Sequence, residues 1–181
     1  MGKTIVISCS GRRGGNTDAF ADEIVRGLRD NYTEYTLVQL REKEIGFCAG
    51  CLACIKDGKC SVHDDMPELM EQVKEAENLV IVTPIYYYAL PGQTKVFIDR
   101  LNPLFEYKSS INLKNVYLCM SCADSEKSIA DFPTQMVKFW ADAVDGVSIK
   151  ESYLAVNCYE RDAFKNSPED MEYAYNLGKR L

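Results

Sequence analysis

The chain has 181 residues, a net charge of −6 and an ordinary globular composition, 46% hydrophobic and 27% charged. That length suits one domain with a core large enough to fold without disulfides, and no apolar run approaches membrane-spanning length. No basic cluster interleaved with aromatic residues is present, so the electrostatic footprint of a nucleic-acid binder is missing, and any phosphate must be held locally.

In chain order, a buried strand is expected over Thr4 to Cys9, followed by a helix in which Phe20, Ile24, Val25 and Leu28 recur at helical spacing after Asn16-Thr17-Asp18. The opening Lys3-Thr4-Ile5-Val6-Ile7 is too short and too soon polar for a signal peptide, which leads us to expect a cytoplasmic protein. A second strand spans Tyr35 to Leu40. Asp65-Met66-Pro67-Glu68 reads as a capping box that opens a helix over Leu69 to Ala76. A third strand covers Leu79 to Thr83, and Pro91 opens a helix through Phe97 and Leu101. Val116 to Met120 and Tyr153 to Val156 complete five strands, with helices over Phe132 to Val144 and Pro168 to Leu177.

Strands apolar on both faces, alternating with helices, argue for a parallel sheet covered on both sides. We expect an α/β, flavodoxin-like, three-layer, doubly wound five-stranded parallel sheet in the order 2-1-3-4-5. Residues 1–181 would form one such domain, with a cysteine-rich loop at 46–64. In this arrangement a ligand sits outside the carboxyl ends of the strands, beside the first strand. The loops after strands one, three and four are therefore the functional candidates.

The first of these is Ser8-Cys9-Ser10-Gly11-Arg12-Arg13-Gly14-Gly15-Asn16-Thr17, rich in glycine and hydroxyls and running straight into a helix. It offers backbone N–H groups, hydroxyl donors and a positive helix terminus to one anion, with Arg12 or Arg13 adding charge-assisted bonds. It is neither a Walker loop nor a dinucleotide fingerprint, and a terminal monophosphate suits it best. The plain alternative is a strand-to-helix turn in which Asn16 or Thr17 acts only as a cap. The loop after strand three, Thr83-Pro84-Ile85-Tyr86-Tyr87-Tyr88-Ala89-Leu90-Pro91, lays amides and aromatic faces where a flat ring system would rest.

Ser10-x-Arg12 with Gly15-Asn16-Thr17, followed by Pro84-Ile85-Tyr86-Tyr87 and Lys95-x-Phe97-Ile98-Asp99-Arg100, resembles the NADPH-dependent FMN reductase family, and within it the iron-sulfur flavoprotein branch. The resemblance covers residues 3 to about 125 well and the remainder only by fold. It implies FMN, with Ser10, Arg12, Asn16 and Thr17 at the phosphate and Pro84, Ile85, Tyr86 and Tyr87 along the isoalloxazine. The family's third flavin-contacting segment matches Ser121, Cys122, Ala123 and Asp124, where this chain departs from the glycine-containing loop of relatives. The resemblance also implies NAD(P)H as electron donor, a small-molecule or redox-protein acceptor, and a homodimer or larger assembly.

Between the second strand and the capping box lies Cys48-x2-Cys51-x2-Cys54-x5-Cys60. Successive x2 spacings let one tight loop wrap a compact cluster, and Cys60 supplies a fourth thiolate. By resemblance the group is a [4Fe-4S] cluster. Zinc is the second choice, and the same thiols serving packing or thiol roles without metal is the third. Cys9, Cys119, Cys122 and Cys158 are read as small core residues, His63 as a solvated loop residue, and Asp99 with Arg100 as a structural pair at a helix end. The expected function is transfer of electrons from a nicotinamide through FMN to an acceptor. A flavodoxin-type electron carrier without turnover of its own is the alternative, and a zinc-stabilised binding module a third reading.

Overall fold

A computed structural model describes residues 2–106 and 111–181. Strands β1 (Thr4–Ser8), β2 (Tyr35–Gln39), β3 (Asn78–Pro84), β4 (Asn115–Ser121) and β5 (Ser148–Ala155) form one sheet in the order 2-1-3-4-5. Every pairing is parallel, with Ile5 opposite Leu79, Leu79 opposite Val116, and Ser121 opposite Ala155. The expected topology is the one observed. Strand ends differ by a few residues, and β5 starts five residues earlier than expected. Its first half, Ser148-Ile149-Lys150-Glu151, lies on an edge where polar side chains reach solvent, so the apolar signal begins only near Leu154.

Alternation along the central strands sends Ile5, Ile7, Leu79 and Ile81 to one face and Val6, Val80 and Val82 to the other. The first face is covered by α3 (Met66–Glu75), α4 (Gly92–Arg100) and α6 (Asp131–Ala143), through Leu69, Phe97 and Val137. The second is covered by α1 (Asn16–Asp30) and α7 (Pro168–Arg180), through Phe20, Ile24 and Leu177. Two short helices, α2 (Cys54–Asp57) and α5 (Asn102–Glu106), lay outside the sequence expectation, being too short for a periodic signal.

Two sequence-based pairings are corrected. Asp65 does not cap α3 with its side chain; Asp64 Oδ1 accepts from the Met66 N–H at 3.0 Å, while Asp65 Oδ2 accepts from Glu44 N–H at 2.7 Å. Asp99 and Arg100 do not pair with each other either. Consecutive helical residues point 100° apart, so Asp99 meets Lys95 on the surface and Arg100 turns inward to Asp64.

Helices α1 and α7 approach so closely that glycine is required at the crossing. A Cβ on Gly178 would stand 2.0 Å from Ile24 O, and one on Gly27 would stand 2.2 Å from Tyr175 O. These neighbours are backbone and cannot rotate away. Gly178→Ala is therefore expected to destabilise the protein by about 3 kcal/mol, at the upper end of overpacking costs. Gly92→Ala, where a Cβ would meet nothing within 4 Å, serves as control. Equal urea midpoints for the two variants would disprove the close crossing.

Candidate functional site

The carboxyl ends of β1, β3 and β4 open onto a cavity of about 550 Å³, within the range of cofactor sites. Its lining contains Ser10, Arg12, Gly15, Asn16 and Thr17 from the first loop, Pro84, Ile85 and Tyr86 from the second, and Ser121, Cys122 and Ala123 from the third. Three segments separated by about seventy and thirty-five residues thus meet as the topology requires.

The first loop is held in shape by a buried carboxylate. Asp18 accepts from Gly14 N–H at 2.7 Å, Ser8 Oγ at 2.9 Å and Arg41 Nη1 at 2.9 Å. Burial alone would raise the Asp18 carboxyl, but the Arg41 guanidinium, the Gly14 amide and the Ser8 hydroxyl together hold it below its usual range. Gly14 sits at φ +63°, a conformation that strains any residue with a Cβ. The first turn of α1 carries no side-chain cap, so the leading amides of the helix face the cavity as an anion site. This donor set fits a monophosphate.

Asn16 lines the cavity, but its side chain is engaged elsewhere. Its Nδ2 donates to Cys158 O at 3.0 Å and Glu160 O at 2.8 Å, and its Oδ1 accepts from Phe164 N–H at 3.1 Å. What Asn16 offers the cavity is its backbone, while its amide fastens the loop after β5 to the start of α1. That loop supplies four further lining residues, Cys158, Tyr159, Glu160 and Arg161, which the sequence reading missed. Arg161 Nη2 donates to Arg13 O at 2.9 Å and its Nε to Gly14 O at 3.2 Å, placing a cation against the first loop. No motif announces it, because a lone arginine near the chain's end carries no periodicity or spacing.

Two expected contacts lie outside the lining. Tyr87 and Tyr88, at φ +49° and +62°, make a tight reversal closed by paired hydrogen bonds between Tyr86 and Ala89 at 3.0 Å. The reversal carries the Tyr87 ring into solvent, fully exposed, and leaves Tyr86 as the aromatic wall. Asp124 turns back to accept from Glu126 N–H at 3.0 Å and to cap the Asn157 amide with its carbonyl.

A second concavity, of about 30 Å³, gathers all four loop cysteines, Cys48, Cys51, Cys54 and Cys60, above Arg100 and Asn102. Among the described residues no three metal-binding side chains converge closely enough to form a metal site. The surroundings nonetheless suit sulfur. Asn102 Nδ2 donates to Cys54 Sγ at 3.5 Å, and the Ser61 hydroxyl at 3.2 Å holds the Cys51 thiol below its ordinary value. Arg100, 1% exposed, donates to both Asp64 oxygens, at 2.6 and 3.0 Å, and to Gly46 O at 2.8 Å, so it ties together the two ends of the loop. Its Nε is buried with no hydrogen-bond partner among the described residues. Cys9 and Cys119 are core residues, as expected, and His63 is exposed. Cys122 is a core residue too and also lines the larger cavity, whereas Cys158, half-buried, packs against the core of the other face and lines the cavity as well.

The match of residues 3–161 to the NADPH-dependent FMN reductase family decides the class. The chain belongs to that family. Membership makes it an oxidoreductase, with FMN and NAD(P)H as the family's cofactor and donor. An iron-sulfur flavoprotein of Archaeoglobus fulgidus is 28% identical over 183 residues, covering 99% of this chain and 78% of its own length. Iron-sulfur flavoprotein MJ1083 of Methanocaldococcus jannaschii is 34% identical over 102 residues, covering 56% of this chain and only 53% of its own length. An NAD(P)H:quinone oxidoreductase from Methanothermobacter marburgensis superposes with a TM-score of 0.77 at 15% identity, over 99% of this chain and 96% of that one. At that identity the likeness establishes the flavodoxin-like fold. No helix among the described residues is long and apolar enough to cross a membrane.

Proposed function

We propose that the chain takes two electrons from NAD(P)H into FMN held in the 550 Å³ cavity and passes them to an acceptor, with a [4Fe-4S] cluster on Cys48, Cys51, Cys54 and Cys60 as a single-electron relay. The observation that supports the flavin site is the uncapped start of α1 facing a cavity walled by Tyr86 and Ile85. FMN, when bound, supplies the hydride and electron chemistry. The residues of this chain bind and orient. Ser10, Arg12, Thr17 and the leading amides of α1 hold the phosphate, Arg161 adds positive charge, and Asp18 preserves the loop's shape. Pro84, Ile85 and Tyr86 form one wall of the ring site, and Ser121, Cys122 and Ala123 the other. For the cluster, four thiols around one depression that Arg100 also lines, its Nε–H without a partner among the described residues, form a sulfur-binding donor set, and the names of the iron-sulfur relatives point the same way.

Replacing Arg12 and Thr17 together with alanine removes two contacts to a charged phosphate. With hydrogen bonds to charged groups contributing about 1.5–3 kcal/mol each, FMN affinity should fall roughly 100-fold or more. Calorimetric titration of the apoprotein measures this, and unchanged affinity would place the phosphate elsewhere. Stopped-flow mixing of the flavin-loaded protein with NADPH then separates enzyme from carrier: rapid bleaching is expected, and inert flavin would instead identify a flavodoxin-type carrier.

A further inference from the structure

A third cavity, of about 420 Å³, lies between the chain leaving β2 and the first turn of α4. That volume suits a nucleotide-sized molecule. One wall is the segment Arg41-Glu42-Lys43-Glu44-Ile45-Gly46-Phe47, in which cations and acids alternate at the start. Lys43 is extended, at φ −109° and ψ 135°, and successive side chains of an extended chain point to opposite sides. Arg41, Lys43, Ile45 and Phe47 line the cavity, whereas Glu42 turns out to Arg13 at 2.7 Å and Glu44 is exposed. The segment is held in place: Glu44 N–H donates to Asp65 Oδ2 at 2.7 Å, and Glu44 O accepts from Asp65 N–H at 3.0 Å. In a chain of net charge −6, folding thus gathers two cations on one wall and sends their acidic neighbours away. Arg41 is matched by Asp18 at 2.9 Å, yet its Nε is buried with no hydrogen-bond partner among the described residues. Lys43 Nζ has neither hydrogen bond nor ion pair among the described residues. Across the cavity stand Gln93 and Val96 of α4. Gln93 Nε2 donates to Cys9 O, and Arg41 Nη1 to Ser10 O at 3.3 Å. Ser10 lines the cavity proposed for FMN, so the backbone after β1 is a partition between the two spaces.

We propose that this cavity binds the phosphorylated adenosine of a nucleotide, the moiety that NADPH carries at the end remote from its nicotinamide and that free adenine nucleotides share. The phosphate takes charge-assisted hydrogen bonds from Lys43 Nζ and Arg41 Nε–H, and the adenine rests between Phe47 and Val96. Neither cation gives up an existing partner, since Arg41 keeps Asp18 and Lys43 has none to lose. When NADPH is the source, Lys43 meets its 2′-phosphate, a group NADH lacks, and so sets the choice between the two donors. The donor as source rests on the FMN reading above; the chemistry of the cavity itself does not.

The test is calorimetric titration of flavin-loaded protein with adenosine 2′,5′-bisphosphate. One equivalent should bind, and Lys43→Ala should weaken it about tenfold or more, the loss expected for one hydrogen bond to a charged group. Lys43→Arg should restore the affinity, and Phe47→Ala should lower it without any change of charge. Lys150→Ala, which removes the same charge from an exposed position on β5, should leave it unaltered. Kinetics identifies the source. Bisphosphate that competes with NADPH, together with a raised NADPH KM in Lys43→Ala at unchanged kcat and unchanged NADH KM, assigns the site to the donor; inhibition that NADPH does not relieve assigns it to a free nucleotide. No binding of the bisphosphate, equal affinity in Lys43→Ala, or an equal loss in Lys150→Ala overturns the site while the FMN reading stands. Protein that loads no FMN fails that earlier reading instead, and the same titration of the unloaded protein and its Lys43→Ala variant still judges this cavity.

Discussion

Replacing Cys54 with alanine is expected to leave anaerobically purified protein with essentially no iron or sulfide, where the wild type should carry four of each per chain. The loss should be complete because a four-thiolate site has no spare ligand: Cys48, Cys51, Cys54 and Cys60 are the cysteines around the smaller concavity. FMN should remain bound in the variant. The cavity proposed for it is lined from residues 10–17, 84–86, 121–123 and 158–161, none of which belongs to the 46–64 loop. Iron, sulfide, zinc and flavin assays on the two proteins provide the check. Wild-type protein with stoichiometric zinc would replace the cluster with a structural metal, and wild-type protein with neither metal would return the cysteines to thiol roles. Neither result would disturb the flavin assignment.

The largest stability effect should come from Arg100→Met. The Arg100 side chain is 0% exposed and Asp64 10%, with a 2.6 Å contact between them, so removing the cation leaves a buried carboxylate and the Gly46 carbonyl without their donor. Breaking such a pair from one side costs about 3–5 kcal/mol, a large share of a stability of roughly 5–15 kcal/mol. Arg100→Met combined with Asp64→Leu should recover much of that loss, since an apolar replacement of both partners leaves no charge stranded. Urea denaturation of the three proteins decides the matter. A single variant as stable as wild type would mean that the clamp on the cysteine loop is dispensable.

The same pair sets a pH dependence. Burial works to raise the Asp64 carboxyl, but the Arg100 guanidinium and the amides of Gly46 and Met66 prevail and hold it at about 2, against 3.8 ordinarily. A folded-state value below the unfolded one means that the stabilisation is full above about pH 4 and is lost as pH falls toward 2. The shift corresponds to about 2 kcal/mol, and that acid-sensitive component should shrink in Arg100→Met, which keeps only the Gly46 and Met66 amides on the carboxylate.

The strand order and both layers of helices were legible from the residues because parallel, doubly wound sheets write themselves as apolar runs separated by amphipathic helices. Three of the loops that meet at the large cavity were equally legible, since topology alone places the ends of β1, β3 and β4 together. The fourth, Cys158 to Arg161, was not. Its place depends on Asn16 reaching across 142 to 148 positions to bind the backbone of Cys158, Glu160 and Phe164, and a long-range side-chain bond leaves no local pattern.

Composition and pattern thus carried the architecture, the placing of the first loop at the cavity and the grouping of four cysteines, all properties of short spacing or of alternating apolar runs. Direction and pairing came only with folding. Tyr87 and Tyr86 are adjacent aromatic residues, and the left-handed turn alone decides that one ring meets solvent and the other the cavity. Arg100 reads as a partner for its neighbour Asp99 until helical geometry turns it toward Asp64, thirty-six positions earlier. Cys158 reads as an isolated core thiol until its backbone bond to Cys122 O sets it on the cavity wall. In each case the deciding interaction links residues with no fixed sequence spacing, and its energy exists only once the chain has brought them together.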